Sequence, residues 1–472
     1  MLIVPKLDPN SEVPYYIQLY TFFKKEIING GLLSGTRLPS IRVMATQLHI
    51  STTPVELAYQ QLLSEGFLTS KAKSGYYVQP IQTFNGITVP SDLRPSKPYP
   101  ITARDSYSYA YDFHISKNDF SNFPHKIWRS LYQEQLSNSD LLQYGDPQGE
   151  PALRDSISTY LRQFRGLRCS AEQVVIGGDQ YTISSLLSLM LKGRTTSLGF
   201  EDPGYHLLPS TFKRNGFEVK AIPLQEDGLD VESLYRSKAN TVYISPSHQF
   251  PKGMTMPIAK RLALLDWVLN TNGYIIEDDY DGEFRYHGRP IPSLQGLMED
   301  SPVIYMGSFA QSVSPALCIH YMILPKVLLL IYHELKSELY LEHSASRLNQ
   351  IALHYFIERG YFEKHLRRMR LLYQRKHDIV LQAIKQHFKN KVTVSGKDAG
   401  FHILLTLEHS STAEQLVSAA KAASIRITPM TYTWWSEPGN DALEFILGFG
   451  GIDEDQIEEG IRTLAEIWFP LA

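Results

Sequence analysis

Five short apolar runs, QVVIGG, TSLGF, TVYIS, GYIIEDD and PVIYMG, recur between helical patterns from residue 173 to residue 307. Strands apolar on both faces need helical cover on both sides, so this alternation predicts an α/β domain built on a largely parallel sheet. A smaller α+β lobe is expected near the C-terminus, and no internal repeat interrupts the pattern.

The chain divides unequally. Residues 79–108 hold five prolines and no sustained apolar period, which reads as a linker between residues 1–78 and residues 109–472. The first segment carries seven Lys/Arg against five acids; the whole chain has 46 against 49, so any nucleic-acid contact must be local. Two cysteines, Cys169 and Cys318, exclude a disulfide framework and Cys-rich zinc patterns, and no metal site is expected. The start MLIVPKLDPN lacks a basic and then apolar leader, and the apolar stretch Val327 to Tyr332 is flanked by Lys326 and by His333-Glu334. A soluble, cytoplasmic bacterial protein with no membrane partner is expected.

In the first segment Tyr16, Tyr20, Phe23 and Ile27 recur at helical spacing, and Gly30-Gly31 stops a helix over 14–29. A second helix follows Leu38-Pro39, with Ser40 as N-cap and Val43, Met44 and Leu48 inward. A third starts at Ser51 or at Thr53, where Thr53-Pro54-Val55-Glu56 fits a capping box, and ends at Gly66. FLTSKAKSGYYV then alternates as two strands around a basic turn. Three helices and a basic hairpin make a winged helix-turn-helix. A Ser/Thr-rich helix N-terminus suits the major groove, while Arg37, Arg42 and the wing lysines suit phosphates. A protein-interaction domain with a solvated basic edge fits the pattern equally.

The strings GTRLPSIRVMATQLHIS, ELAYQQLLSEGFL and KSGYYV resemble the winged-helix domain of GntR-type regulators. That resemblance implies double-stranded operator DNA as partner and Arg37, Ser40, Arg42, Ser51, Thr52, Thr53, Lys71, Lys73 and Gly75 as the contact set. Arg often follows the serine opening the recognition helix in that family. Thr52 stands there instead, so a contact worth about 1–3 kcal/mol is either missing or supplied elsewhere.

In the second segment Gly177-Gly178 follows the strand VVI and precedes an apolar helical run, a place where backbone N–H groups hold an anion or where a simple turn sits. Glu277-Asp278-Asp279 ends GYII. Carboxylates there face a functional crevice, or else form a surface turn salt-bridged to Arg285 and Arg289.

Taken together, YGDPQGEPALRDSISTYLRQFRG, EDPGYH, YISPSHQFPKGMTMP, IIEDDYDGEFRYHGRPIPSL, VIYMGSFAQSVSPALCIHYMILP and HLRRMRLLYQRKHD resemble the fold type I aminotransferase domain of MocR-type, GabR-like regulators. The resemblance implies a parallel-rich large lobe, a small C-terminal α+β lobe and homodimerisation. It also implies a pyridoxal 5'-phosphate site in which a lysine forms an imine and a carboxylate meets the ring nitrogen. Asp278 is similar to that carboxylate, Tyr280 to the phenol on the ring oxygen, Tyr205 to the stacking aromatic and Ser308 to a phosphate-binding hydroxyl, with Gly178, Asp179 and Gln180 at the phosphate loop.

The pattern Ser/Thr-Phe-Ser-Lys reads here Ser308-Phe309-Ala310-Gln311. An amide has no nucleophilic amine, so the imine cannot form at Gln311. Cys318 replaces the arginine of the next phosphate contact, and Asp179 replaces a small hydroxyl residue. A lost charge-assisted hydrogen bond costs about 1.5–3 kcal/mol, and an added carboxylate beside a phosphate acts in the same direction. Lys252 and Lys326 read as surface lysines outside the matching position.

The expected function is therefore transcription regulation by a DNA-binding dimer whose aminotransferase-like domain lacks transamination and senses a small molecule, amino-acid-like or vitamin-B6-like. The alternatives are a ligand-free dimerisation scaffold and a working aminotransferase; Gln311 argues against the last. Tyr144 reads as a core tyrosine or as a residue reaching a shared site, and HLRRMR (365–370) as a solvated or interdomain helix face rather than a nucleic-acid patch.

Overall fold

The structure, a computed structural model, describes residues 5–80, 108–286, 288, 290–339, 345–436 and 443–470. It divides into two compact units, Met1–Ser106 and Tyr107–Ala472. All but the ends of the 79–108 segment, and Arg289, lie outside the described residues.

In the first unit, helix α1 (Tyr15–Ile28) buries Leu19, Phe23 and Ile27, a stripe at i, i+4, i+8. Tyr16, expected in that stripe, is exposed because the buried face is centred on Leu19. Helix α2 (Ile41–Leu48) is capped by Ser40, whose hydroxyl accepts from Val43 N at 3.3 Å, and ends at His49 in the left-handed region. Met44 and Ala45 face the core and Val43 faces out, one step away from the expected face.

Of the two possible starts of the third helix, the chain uses the earlier. Helix α3 spans Thr52–Ser64 with Ser51 at the N-cap, so Thr53 lies inside the helix and the capping box there does not form. Strands β1 (Leu68–Lys71) and β2 (Gly75–Val78) pair antiparallel from Leu68↔Val78 to Lys71↔Gly75. Phe23 and Tyr59 meet edge to face at 5.8 Å and Tyr59 meets Tyr76 at 5.0 Å, which ties the wing to the helices through one aromatic column.

The second unit opens with β3 (Tyr111–Asp112) and helices α4 (His125–Gln135) and α5 (Pro151–Phe164). Its main sheet uses β4 (Val174–Gly177), β5 (Ser197–Asp202), β6 (Glu218–Gln225), β7 (Gly228–Leu229), β8 (Thr241–Ile244), β9 (Tyr274–Asp279), β10 (Val303–Ser308) and β11 (His320–Ile323). The spatial order is β4-β11-β10-β9-β8-β5-β6-β7. Neighbours from β10 to β6 run parallel, whereas β11 is antiparallel to both β10 and β4. The five apolar runs read from sequence are β4, β5, β8, β9 and β10.

Period-two alternation distributes these strands between layers. Val174, Ile176, Tyr305, Tyr321 and Ile323 pack into a core with Leu153 and Ile157 of α5. Their neighbours Val175, Ile304, Met306 and Met322 pack oppositely with Ile183 and Leu187 of α6 (Gln180–Leu191). Helices α7 (Leu207–Arg214), α8 (Val231–Ser237), α9 (Ile258–Thr271) and α10 (Lys326–Glu338) complete the large lobe.

Helices α11 (Arg347–Glu358) and α12 (Tyr361–His387) lead to the small lobe. There β12 (Val392–Ser395), β13 (His402–Leu407), β16 (Leu443–Gly448) and β15 (Thr428–Pro429) form an antiparallel sheet, with α13 (Ala413–Ala422) and α14 (Glu454–Trp468) beside it. Strand β14 (Ile425–Arg426) pairs with β3, so the start of this unit is tied to its end.

HLRRMR lies in α12. His365, Leu366 and Met369 are buried, and Arg368 and Arg370 donate to the carbonyls of Asn122 and Glu283. Arg368 and Arg370 therefore serve packing within this unit, while Arg367 is exposed beside Glu363. No helix among the described residues is long and apolar enough to cross a membrane.

Candidate functional site

The polar residues of the second unit gather at one edge of the main sheet, where β5, β8, β9 and β10 end. Because β11 is antiparallel, its first residue comes to the same edge: His320 is in register with Ser308 on one side and with Gly177 on the other. A cavity of about 320 Å³ opens there. Among the residues predicted from sequence, it is lined by Gln180, Tyr205, Asp278, Tyr280, Ser308 and Gln311.

Asp278 is the buried acid of this cavity, 8% exposed. Its Oδ2 accepts from Gln180 Nε2 at 3.1 Å and from the Tyr243 hydroxyl. Burial is the main cause that raises its pKa to about 6; the Tyr243 bond opposes this and the neighbouring Asp279 charge adds to it. Asp279 pairs with Arg165 at 2.6 Å and accepts from Tyr305. Glu277 accepts from the backbone N–H groups of Leu294 and Gln295 at 2.8 and 3.0 Å. All three acids are buried in the strand and do not stand on a surface turn.

Tyr280 carries a further polar chain. Its hydroxyl lies 2.9 Å from His248 Nδ1, which is also 2.8 Å from Asp281 Oδ2. Tyr205 meets Phe250 edge to face at 6.0 Å and Phe250 meets Tyr280 at 6.1 Å, which walls the cavity with rings.

Gln311 sits in the loop after β10, and its Oε1 accepts from Asn118 Nδ2 at 2.7 Å. No lysine or arginine lines the cavity among the described residues. Lys252 pairs with Glu444 at 2.5 Å, half-buried rather than a free surface lysine, and Lys326 pairs with Asp300 at 2.8 Å on the surface.

Three positions expected at the phosphate loop lie outside this lining. Cys318 is exposed in the left-handed region after Leu317. Gly178 is buried. Asp179 caps α6, its Oδ1 accepting from Thr182 N at 2.7 Å. Tyr144 is 75% exposed, not a core residue.

Sequence reasoning missed Asn118, Ser245, Phe250, His320, His402 and Tyr432. All but Asn118 line the cavity, and Asn118 reaches it through Gln311. Only His320 carried a usable signal, as a polar residue opening an apolar strand. Burial pushes the His320 ring below its ordinary pKa, partly offset by the Asp179 charge. His402 falls to about 4, mainly by burial.

In the first unit Arg37, Ser40, Arg42, Ser51, Thr52, Thr53, Lys71 and Lys73 are exposed. Gly75 holds φ +118°, and a side chain there would meet Arg37 Nε at 3.3 Å, so glycine lets Arg37 lie against the wing. Lys71 Nζ lies 4.9 Å from the centre of the Tyr77 ring.

Comparison with known proteins agrees with both units. Residues 16–78 match the family described as bacterial regulatory proteins, gntR family, and residues 112–440 match aminotransferase class I and II. The chain is 38% identical to the uncharacterized HTH-type transcriptional regulator YhdI of Bacillus subtilis (strain 168), covering 100% of this chain and 99% of that one. It is 31% identical to the probable rhizopine catabolism regulatory protein MocR of Rhizobium meliloti, over 98% and 96% of the two chains. A solved Pyrococcus horikoshii kynurenine aminotransferase shares the fold at TM-score 0.67 and 23% identity, over 77% of this chain and 91% of that one. The chain therefore belongs to the MocR-type HTH transcriptional regulators, in which a gntR-family winged helix-turn-helix is joined to a fold type I aminotransferase domain.

Proposed function

We propose that this regulator binds promoter DNA as a cytoplasmic homodimer and uses its aminotransferase-like unit as a non-transaminating sensor of a small molecule. The observation that carries this reading is Gln311: an amide, held by Asn118, stands where the family resemblance assigns the imine-forming lysine, in a cavity that no lysine among the described residues lines.

The residues present fit one part of pyridoxal 5'-phosphate and not the rest. Asp278, Tyr280 and Tyr205 suit a pyridine ring. The amine is missing, Cys318 is turned out to solvent, and the N-terminus of α6 is occupied by the carboxylate of Asp179. What the unit retains is an aromatic, acid-floored pocket, enough to bind a ligand and bias one conformation over another, provided the ligand prefers one of the two. Such a bias would change how two winged helices are offered to paired half-sites.

An absorption spectrum of the purified protein with pyridoxal 5'-phosphate, before and after borohydride, tests this. We expect no reduced chromophore on a pocket peptide. A chromophore that borohydride fixes to a peptide of residues 303–323 or 245–256 would overturn the reading.

A further inference from the structure

We infer that the cavity takes a planar nitrogen heterocycle with a protonatable ring nitrogen and no phosphate group, an inference that rests on the sensor reading above.

The floor of the cavity supplies the recognition. Both bonds to Asp278 converge on Oδ2, from Gln180 and Tyr243, so Oδ1 has no partner among the described residues. A carboxylate oxygen that opens onto such a cavity pairs best with an N–H⁺ donor, because the charge-assisted bond compensates the hydration that a bound ring displaces. The walls are Tyr205, Phe250, Tyr280 and Tyr432, which favour a flat, polarisable ring. At about 320 Å³ the space suits one substituted ring and little more. Gln311 accepts from Asn118 through Oε1, and its amide nitrogen, without a partner among the described residues, can donate to an oxygen substituent on that ring.

The far end of the cavity turns anions away. In the fold a phosphate would be received by the N-terminus of α6, but Asp179 Oδ1 already accepts from Thr182 N at 2.7 Å and brings a negative charge to that place. His320, between Gly177 and Ser308 in the sheet, offers an imidazole that burial keeps neutral. No lysine or arginine among the described residues lines the cavity to offset a dianion. Like charges repel, so the acid that caps this helix also selects against phosphate esters.

Calorimetry on the full-length protein with pyridoxine and pyridoxine 5'-phosphate isolates the phosphate, because the two probes share a ring and neither forms an imine. We expect pyridoxine to bind at least about tenfold more tightly than its ester. Asp179→Ser, an exposed change that keeps a capping hydroxyl, should shift that preference by about tenfold toward the ester. Asp278→Asn should weaken pyridoxine about tenfold or more, with circular dichroism reporting on its fold. Equal or tighter binding of the ester, an Asp179→Ser variant with unaltered preference, or no binding of either probe at millimolar concentration would each overturn the inference. The sensor reading fails separately, on the borohydride experiment.

Discussion

Asn118 Nδ2 donates to Gln311 Oε1 at 2.7 Å, joining the strand-to-helix segment at the start of the second unit to the loop after β10 across 193 positions of sequence. The bond gives the Gln311 amide a structural partner. Asn118 Oδ1 is buried without a partner, so the pairing is held from one side only.

Gln311→Lys alone should restore little cofactor attachment, because the anion cup remains closed. Adding Asp179→Ser and Cys318→Arg should raise occupancy by about 10–150-fold, the equivalent of one charge-assisted hydrogen bond of about 1.5–3 kcal/mol. Absorbance after borohydride at fixed pyridoxal 5'-phosphate measures this, and full occupancy in the single variant would contradict it.

Removing the amide partner has a smaller effect. Asn118→Ala strips Gln311 of its hydrogen bond and should destabilise the second unit by about 1 kcal/mol, lowering its thermal midpoint by a few degrees. A double-mutant cycle with Gln311→Ala should return a coupling of similar size. A coupling near zero would show that the contact carries no energy.

Stability should depend on pH through Glu201. It is buried, its Oε2 accepts from Ser245 N at 3.0 Å, and its Oε1 has no partner. Burial raises its pKa from 4.5 to about 8. The folded chain therefore keeps a proton that the unfolded chain releases. The associated stability is fully present below about pH 4.5 and is lost as pH rises through 8. Glu201→Gln, neutral at every pH, should lose less stability between pH 6 and 9 and exceed the parent midpoint at pH 9 by on the order of 2 °C. Parallel midpoint-against-pH curves would refute the assignment.

On the DNA side, Arg42 is exposed near the start of α2, with no partner carboxylate among the described residues. Arg42→Ala should weaken operator binding and reduce the slope of log K against log salt by about one, the mark of one lost phosphate contact. Unchanged affinity across a salt titration would remove Arg42 from the interface.

The alternation of strands and helices and the winged helix were legible in sequence from local periodicity and turn signals, and the six lining residues from Gln180 to Gln311 through their resemblance to a family's contiguous motifs. The face of α2, the start of α3 and the burial of Glu277 to Asp279 were not. Those depend on which neighbour occupies the adjoining space. Sequence alone determined that an amide stands at position 311, because residue identity is local. Only the tertiary structure decided that Asn118 holds that amide, that antiparallel β11 carries His320 to the same edge, and that the Asp179 carboxylate caps α6. Hydrogen bonds and charge repulsion act through distance in space, and chain folding sets that distance independently of separation along the sequence.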